Sequence, residues 1–140
     1  MKANELMIGD WVLCDINAQS DYEFDNVNYQ PYQIENGEDI DYSIEKNMIG
    51  DDDVYQPMPL TKEILEKNGF KQIGKKFIWG EIDDDFIEIT PSINNSYRIK
   101  VSVADLRISC SIWCSYVHQL QHALRLCGIE KTIELSTTHD

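Results

Sequence analysis

Charge divides this chain in two, and the division constrains the fold more than any motif does. Residues 1–56 hold 14 of the 25 acidic residues against two cations, Lys2 and Lys46, and so carry −12 of the net charge of −13. The remaining 84 residues hold 11 acids and ten bases. The switch falls at Pro57-Met58-Pro59, where proline interrupts both ladder and helix patterns. Two units are therefore expected, an acidic one over 1–56 and a mixed-charge one over 57–140. A chain of 140 residues buries roughly 68–70% of its unfolded surface. The apolar content of 42%, with seven Tyr and three Trp, supplies material for a core despite the charge.

In the first unit, Gly9-Asp10 reads as a turn that feeds a strand through Trp11-Val12-Leu13. Residues 29–35 and 39–45 both alternate, and Asn36-Gly37 between them is a hairpin signal. In the second run Ile40, Tyr42 and Ile44 fall on one face of a strand and Asp39, Asp41, Ser43 and Glu45 on the other. The expectation is a small, twisted antiparallel sheet with an acidic wet face, for which an SH3-like barrel is one closure. Residues 18–28 read as loop.

The second unit opens with a short helix. Thr61 is its expected N-cap, Glu63 lies in the first turn, Leu60 and Leu65 stand at staple spacing, and Gly69 ends it. Strands follow at 70–73, 75–79, 86–90, 97–101 and 106–112, with turns at Asp83-Asp84-Asp85 and 91–96. Joining the face of Ile87 and Ile89 to that of Tyr97, Ile99 and Val101 brings Glu88 near Arg98 or Lys100. Residues 116–127 carry Val117, Leu120, Leu124 and Cys127 at 3-4-3 spacing, an amphipathic helix on a sheet with His118, Gln121, His122 and Arg125 turned to water. Gly128 and Ile129 suit a Schellman stop. The fold class is thus α+β: an acidic β unit, then helix, antiparallel meander and C-terminal helix.

Chemical motifs are sparse. The chain has no G-x-S-x-G, P-loop, G-x-G-x-x-G or H-E-x-x-H segment. Asp51-Asp52-Asp53 and Asp83-Asp84-Asp85 are adjacent acids in turns, which diverge where a catalytic pair needs a fixed separation in a cleft. Cys110, Cys114, His118 and His122 repeat every four residues, as helical metal ligands sometimes do. Twelve residues of helix rise about 18 Å, however, so at most two neighbours could share one ion. No catalytic residue, cofactor or metal is assigned. The four cysteines are read as thiols of a reducing compartment. Lys75-Lys76-Phe77-Ile78-Trp79 interleaves cations with aromatics, but Phe77 and Trp79 at period two suit a core, and the overall charge opposes phosphate, so no direct nucleic-acid contact is expected. The first six residues place acid where a signal peptide needs an apolar run, and no stretch approaches the roughly 18 apolar residues of a span, so a cytoplasmic protein without membrane contact is expected.

Three segments carry a resemblance: Met1-Lys2-Ala3-Asn4-Glu5-Leu6 with Ile8-Gly9-Asp10-Trp11-Val12; Pro59-Leu60-Thr61-Lys62-Glu63-Ile64-Leu65 with Asn68-Gly69-Phe70; and Tyr116-Val117-His118-Gln119-Leu120-Gln121. Together the chain resembles a widespread family of short bacterial proteins of gut anaerobes, often encoded near prophage or mobile elements. The resemblance implies no activity and no catalytic residue.

The functional expectation is a non-catalytic protein-interaction module. Its candidate surface is Asp39, Asp41, Glu45, Asp51, Asp52 and Asp53, and its partner is a basic protein or the cation-rich stretch Lys62, Lys67, Lys71, Lys75 and Lys76 of another copy. The alternative is an acidic mimic of nucleic acid that occupies the basic cleft of a DNA-binding protein. A small hydrolytic or ligand-binding enzyme comes third, and would need a pocket with convergent polar groups.

Overall fold

The computed structural model describes residues 1–15, 29–50, 55–81, 84–103 and 108–135. The chain is α+β and divides into two compact units, Met1–Met58 and Pro59–Asp140. The expected loop over 18–28, the triad Asp51-Asp52-Asp53 and the last five residues lie outside the described residues.

In the first unit, β1 (Trp11–Asp15) is the central strand of an antiparallel sheet ordered β2-β1-β3, with β2 at Tyr29–Gln33 and β3 at Tyr55–Pro57. The Gly9-Asp10 turn forms as the sequence suggests. Gly9 takes φ +96°, Gly9 N–H donates to the Ile34 carbonyl at 2.6 Å, and the buried Asp10 carboxylate accepts Met7 N–H at 2.8 Å. Leu6, Val12, Ile34 and Tyr55 form the core, with Met1, Cys14, Tyr32, Ile40 and Tyr42 packed on it.

The run at 39–45 is not a strand, and the described residues of this unit form an open three-stranded sheet with a helix, not a hairpin-built barrel. Helix α1 spans Gly37–Met48. Asn36 is its N-cap: its side-chain oxygen accepts Glu38 N–H at 2.9 Å and Asp39 N–H at 3.3 Å. Glu38 and Asp39 in the first turn and Lys46 in the last both complement the helix dipole. The alternation of Ile40, Tyr42 and Ile44 misled because Ile40 and Ile44 satisfy helical i,i+4 spacing equally well. Capping by Asn36 decides between the two periods, and the Asn-Gly pair serves a helix start instead of a hairpin.

In the second unit the short helix α2 (Lys62–Lys67) is capped by Thr61, whose hydroxyl accepts Ile64 N–H at 3.3 Å. It closes as a Schellman motif, with Phe70 N–H on the Leu65 carbonyl and Gly69 N–H on that of Glu66. Five strands then run as an antiparallel meander in sequence order: β4 (Lys71–Ile73), β5 (Lys76–Gly80), β6 (Phe86–Pro91), β7 (Tyr97–Val103) and β8 (Ile108–Cys114). The expected register between β6 and β7 holds: Ile87 faces Val101, Glu88 faces Lys100 and Ile89 faces Ile99. Gly80 is obligatory where β5 turns away, since at φ +89° any Cβ would overlap the Asp85 carbonyl.

Helix α3 (Val117–Leu126) buries Val117, Leu120 and Leu124 as its spacing predicts. It also buries His118, only 5% exposed, and Gln121, both of which were expected in water. The apolar stripe is narrower than the covered face. At about 100° per residue, the buried positions from Ala123 to His118 span about 220° of the helix, more than the usual amphipathic arc. The Schellman stop at Gly128 is present, with Ile129 N–H on the Leu124 carbonyl at 2.9 Å and Ile129 buried. After it the chain is fastened back to α2. Buried Asn68 donates to the Ile64 and Glu134 carbonyls at 2.8 and 2.9 Å and accepts Glu134 N–H at 2.7 Å.

Candidate interaction surface

The acids singled out from the sequence separate into inward and outward groups once α1 is a helix. Asp39 turns inward. Its carboxylate accepts the Tyr32 hydroxyl at 2.7 Å through Oδ1 and Glu35 N–H at 2.8 Å through Oδ2. Burial, and then the hydrogen bond and charge of Asp39, push the Tyr32 hydroxyl well above the ordinary tyrosine range. Burial and the same carboxylate do so for Tyr55. Burial raises the Cys14 thiol, with Asp15 and Asp39 adding to it. Asp39 is therefore a structural anchor between β2 and α1 and leaves the candidate docking set. Asp41 and Glu45 remain outside, exposed one turn apart on α1.

Beside them lies a feature that period-two reading hid. At about 100° per residue, Glu38, Asp41 and Glu45 form one ridge of α1, and Ile40, Ile44 and Met48 form the adjoining ridge. Met48 is 81% exposed and Ile44 is exposed too. The apolar ridge faces the 3-10 turn Ala3–Glu5, and between them runs a shallow groove of about 700 Å³ lined by Lys2, Ala3, Ile40, Ile44, Asn47 and Met48. Asn47 holds its wall, accepting Ala3 N–H at 2.8 Å. The i,i+4,i+8 spacing of Ile40, Ile44 and Met48 was the available sequence signal.

The second unit carries the opposite charge on an open sheet face. One row across it is Ile73, Lys76, Thr90, Arg98 and Trp113, following the register strand by strand. The neighbouring row is Lys71, Ile78, Glu88, Lys100 and Ser111. The other face carries buried Phe77, Ile87, Ile89, Ile99 and Val101. Lys71, Lys76, Arg98 and Lys100 are exposed in these two rows, whose one acid is Glu88, paired with Lys76 at 2.6 Å. Arg98 is steadied by its Nε donating to Ser111 Oγ at 2.8 Å, and directly opposite it Trp113 is 62% exposed. The cation-rich stretch read from the sequence is thus split. Lys71 and Lys76 join this face, whereas Lys62 lies on α2 beside Glu66 at 3.7 Å.

The Cys/His ladder is broken by the fold. Cys110 and Cys114 are on β8, and His118 and His122 are on α3, so the repeat is not one helical face. Among the described residues no three His, Cys, Asp or Glu converge as metal ligands do. Burial pushes the Cys114 thiol up to about 11. The Gln119 side chain caps α3, accepting Ser115 and Tyr116 N–H at 2.8 and 3.2 Å. His118 stacks on Tyr116 at 5.9 Å and meets His122 edge-on at 5.5 Å. The segments 59–65 and 116–121 meet directly: Pro59 bridges Tyr116 and Leu60 N–H donates to the Ser115 carbonyl at 3.0 Å. A recess of about 520 Å³ beside this junction is lined by Leu60 and by Lys62, Asn94, Asn95, Tyr97 and Tyr116, whose polar groups suit hydrogen bonding but include no paired acid and base.

Among the described residues no helix is long and apolar enough to cross a membrane. No protein-family model, curated protein or solved structure matches the chain.

Proposed function

We propose that the protein is a non-catalytic interaction module whose acidic unit docks a basic protein segment bearing an apolar anchor. The observation that carries this reading is the pairing of ridges on α1: Glu38, Asp41 and Glu45 run beside Ile40, Ile44 and Met48, which open into the groove against Ala3. Acids alone steer a partner, whereas an apolar anchor in a groove holds it. The apolar ridge favours a protein partner over imitation of a nucleic-acid strand, because a phosphate-binding cleft offers no counterpart to Met48.

The test is calorimetric titration with a short peptide of Lys and Arg around a single Trp. Saturable binding is expected that weakens at least tenfold in Asp41→Lys/Glu45→Lys and in Met48→Glu, and that loosens as salt shortens the Debye length from about 10 Å at 0.1 M to about 3 Å at 1 M. Binding unchanged by all three would refute the reading.

A further inference from the structure

Within one chain the structure holds two surfaces of opposite charge and matching size. Helix α1 has 12 residues and is therefore about 18 Å long. The five strands of the second sheet, at about 4.8 Å apart, make a face about 19 Å across. Glu38 and Glu45 are separated by about 10 Å along the helix. Lys76 and Arg98, two strands apart in one row, are also separated by about 10 Å. Apolar groups complement as well as charges do. The cation row ends in Trp113 on one side and Ile73, 61% exposed, on the other. The acidic ridge is bordered by Ile44 and Met48.

We propose that the open face of the five-stranded sheet is the docking site for α1 of a second copy of this chain, with Lys76, Arg98 and Lys100 facing Glu38, Asp41 and Glu45, and Trp113 seated against the apolar ridge. The inference rests on the docking role given above to the acidic unit and names the partner. A second copy is favoured over single-stranded nucleic acid, although exposed Trp beside cations also suits a base and its phosphates. The chain's net charge of −13 repels a polyanion, while another copy presents acids already spaced to the cations. A contact between two different patches either closes by being made reciprocally in a pair or propagates as a chain, so association will depend on concentration.

Charge reversal gives the test, read by light scattering and sedimentation over a protein concentration series. Wild type is expected to associate in about 0.1 M salt and to fall apart at about 1 M, where screening is nearly complete beyond about 3 Å. Arg98→Glu/Lys100→Glu and Asp41→Lys/Glu45→Lys should each be monomeric alone, with circular dichroism unchanged. Mixed together they should associate again to within about tenfold of wild type, because the reversed sheet of one then faces the reversed helix of the other. A merely structural effect of either pair of substitutions would not be rescued by mixing, and absence of rescue overturns the proposal. A monomeric wild type also overturns it. If that monomer still binds the Lys/Arg/Trp peptide through Asp41 and Glu45, the docking role of the acidic unit survives without self-association. If it binds no peptide, both fall. If a fluorescein-labelled oligothymidylate binds the monomer and the Trp113→Ala and Arg98→Glu changes abolish that binding, the face belongs to nucleic acid and the proposal is wrong.

Discussion

Removing the Asn68 side chain should loosen the C-terminal tail and α2 together. The side chain, 5% exposed, makes three hydrogen bonds: one to the Ile64 carbonyl within its own helix and two to the backbone of Glu134. At about 1 kcal/mol net for each such bond, Asn68→Ala should cost about 3 kcal/mol. In a chain ended at Thr132 only the Ile64 bond is left to lose, so the same substitution should cost about 1 kcal/mol, a coupling of about 2 kcal/mol. Asn68→Asp keeps the acceptor for Glu134 N–H but sets a carboxylate against two carbonyls, so it should cost at least as much as Ala despite its shape. Urea unfolding followed by Trp fluorescence measures this, in a Trp11→Phe background so that Trp79 and Trp113 report on the second unit. Trp79 is a sensitive probe, since the Lys131 ammonium lies 5.6 Å above its ring. Equal costs in full and shortened chains would falsify the reasoning, because they would mean that Asn68 does not fasten the tail.

Two further outcomes concern buried polar groups. Ser43 is fully buried on α1 and its Oγ has no hydrogen-bond partner among the described residues, so Ser43→Ala should raise stability by about 1 kcal/mol; a comparable loss would reveal a partner. Alkaline pH should weaken the second unit. The folded state holds the Cys114 proton up to about 11, while the unfolded thiol releases it near its ordinary value of 9.0, so folded protein binds more protons and stability falls across that window. The loss is about 2–3 kcal/mol at about 1.4 per pH unit, and Cys114→Ala should flatten that part of a stability profile measured by chemical denaturation from neutral pH upward.

The second unit was legible because several local signals agree there. Thr61 caps, Gly69 and Gly128 stop, and the facing pairs Ile87/Val101 and Ile89/Ile99 admit one register, since a slip by one residue would turn every apolar side chain to water. His118 and Gln121 misled because side-chain polarity does not report burial when a helix is covered over a broad arc. The capping role of Gln119 was within reach of the sequence, as a Gln at N3 is placed to accept the N–H of the N-cap residue. The basic sheet face was not legible, since Lys71, Lys76, Arg98, Lys100 and Trp113 are scattered over 43 positions and only strand order gathers them.

The misreading of 39–45 bears most on function. On a strand, side chains alternate between opposite faces, so Asp41 and Glu45 would share a face from which Ile40 and Ile44 are excluded. Such an acidic face could attract a basic partner by charge alone, with no apolar anchor beside it. A helix advances about 100° per residue, which sets the ridge of Ile40, Ile44 and Met48 beside the ridge of Glu38, Asp41 and Glu45. Screening by salt leaves exposed charges little binding energy of their own, but charges flanking an apolar groove select the sign of whatever fills it. The helix thus sets acids beside an apolar ridge where a strand would have put them on opposite faces, which is the arrangement the proposed docking role needs, and the change rests on Asn36, whose side chain starts the helix. Asp39 reinforces that choice from within. By binding Tyr32 and the Glu35 backbone it fastens the first turn of α1 to the end of β2, which fixes the rotation of the helix and hence which ridge faces out.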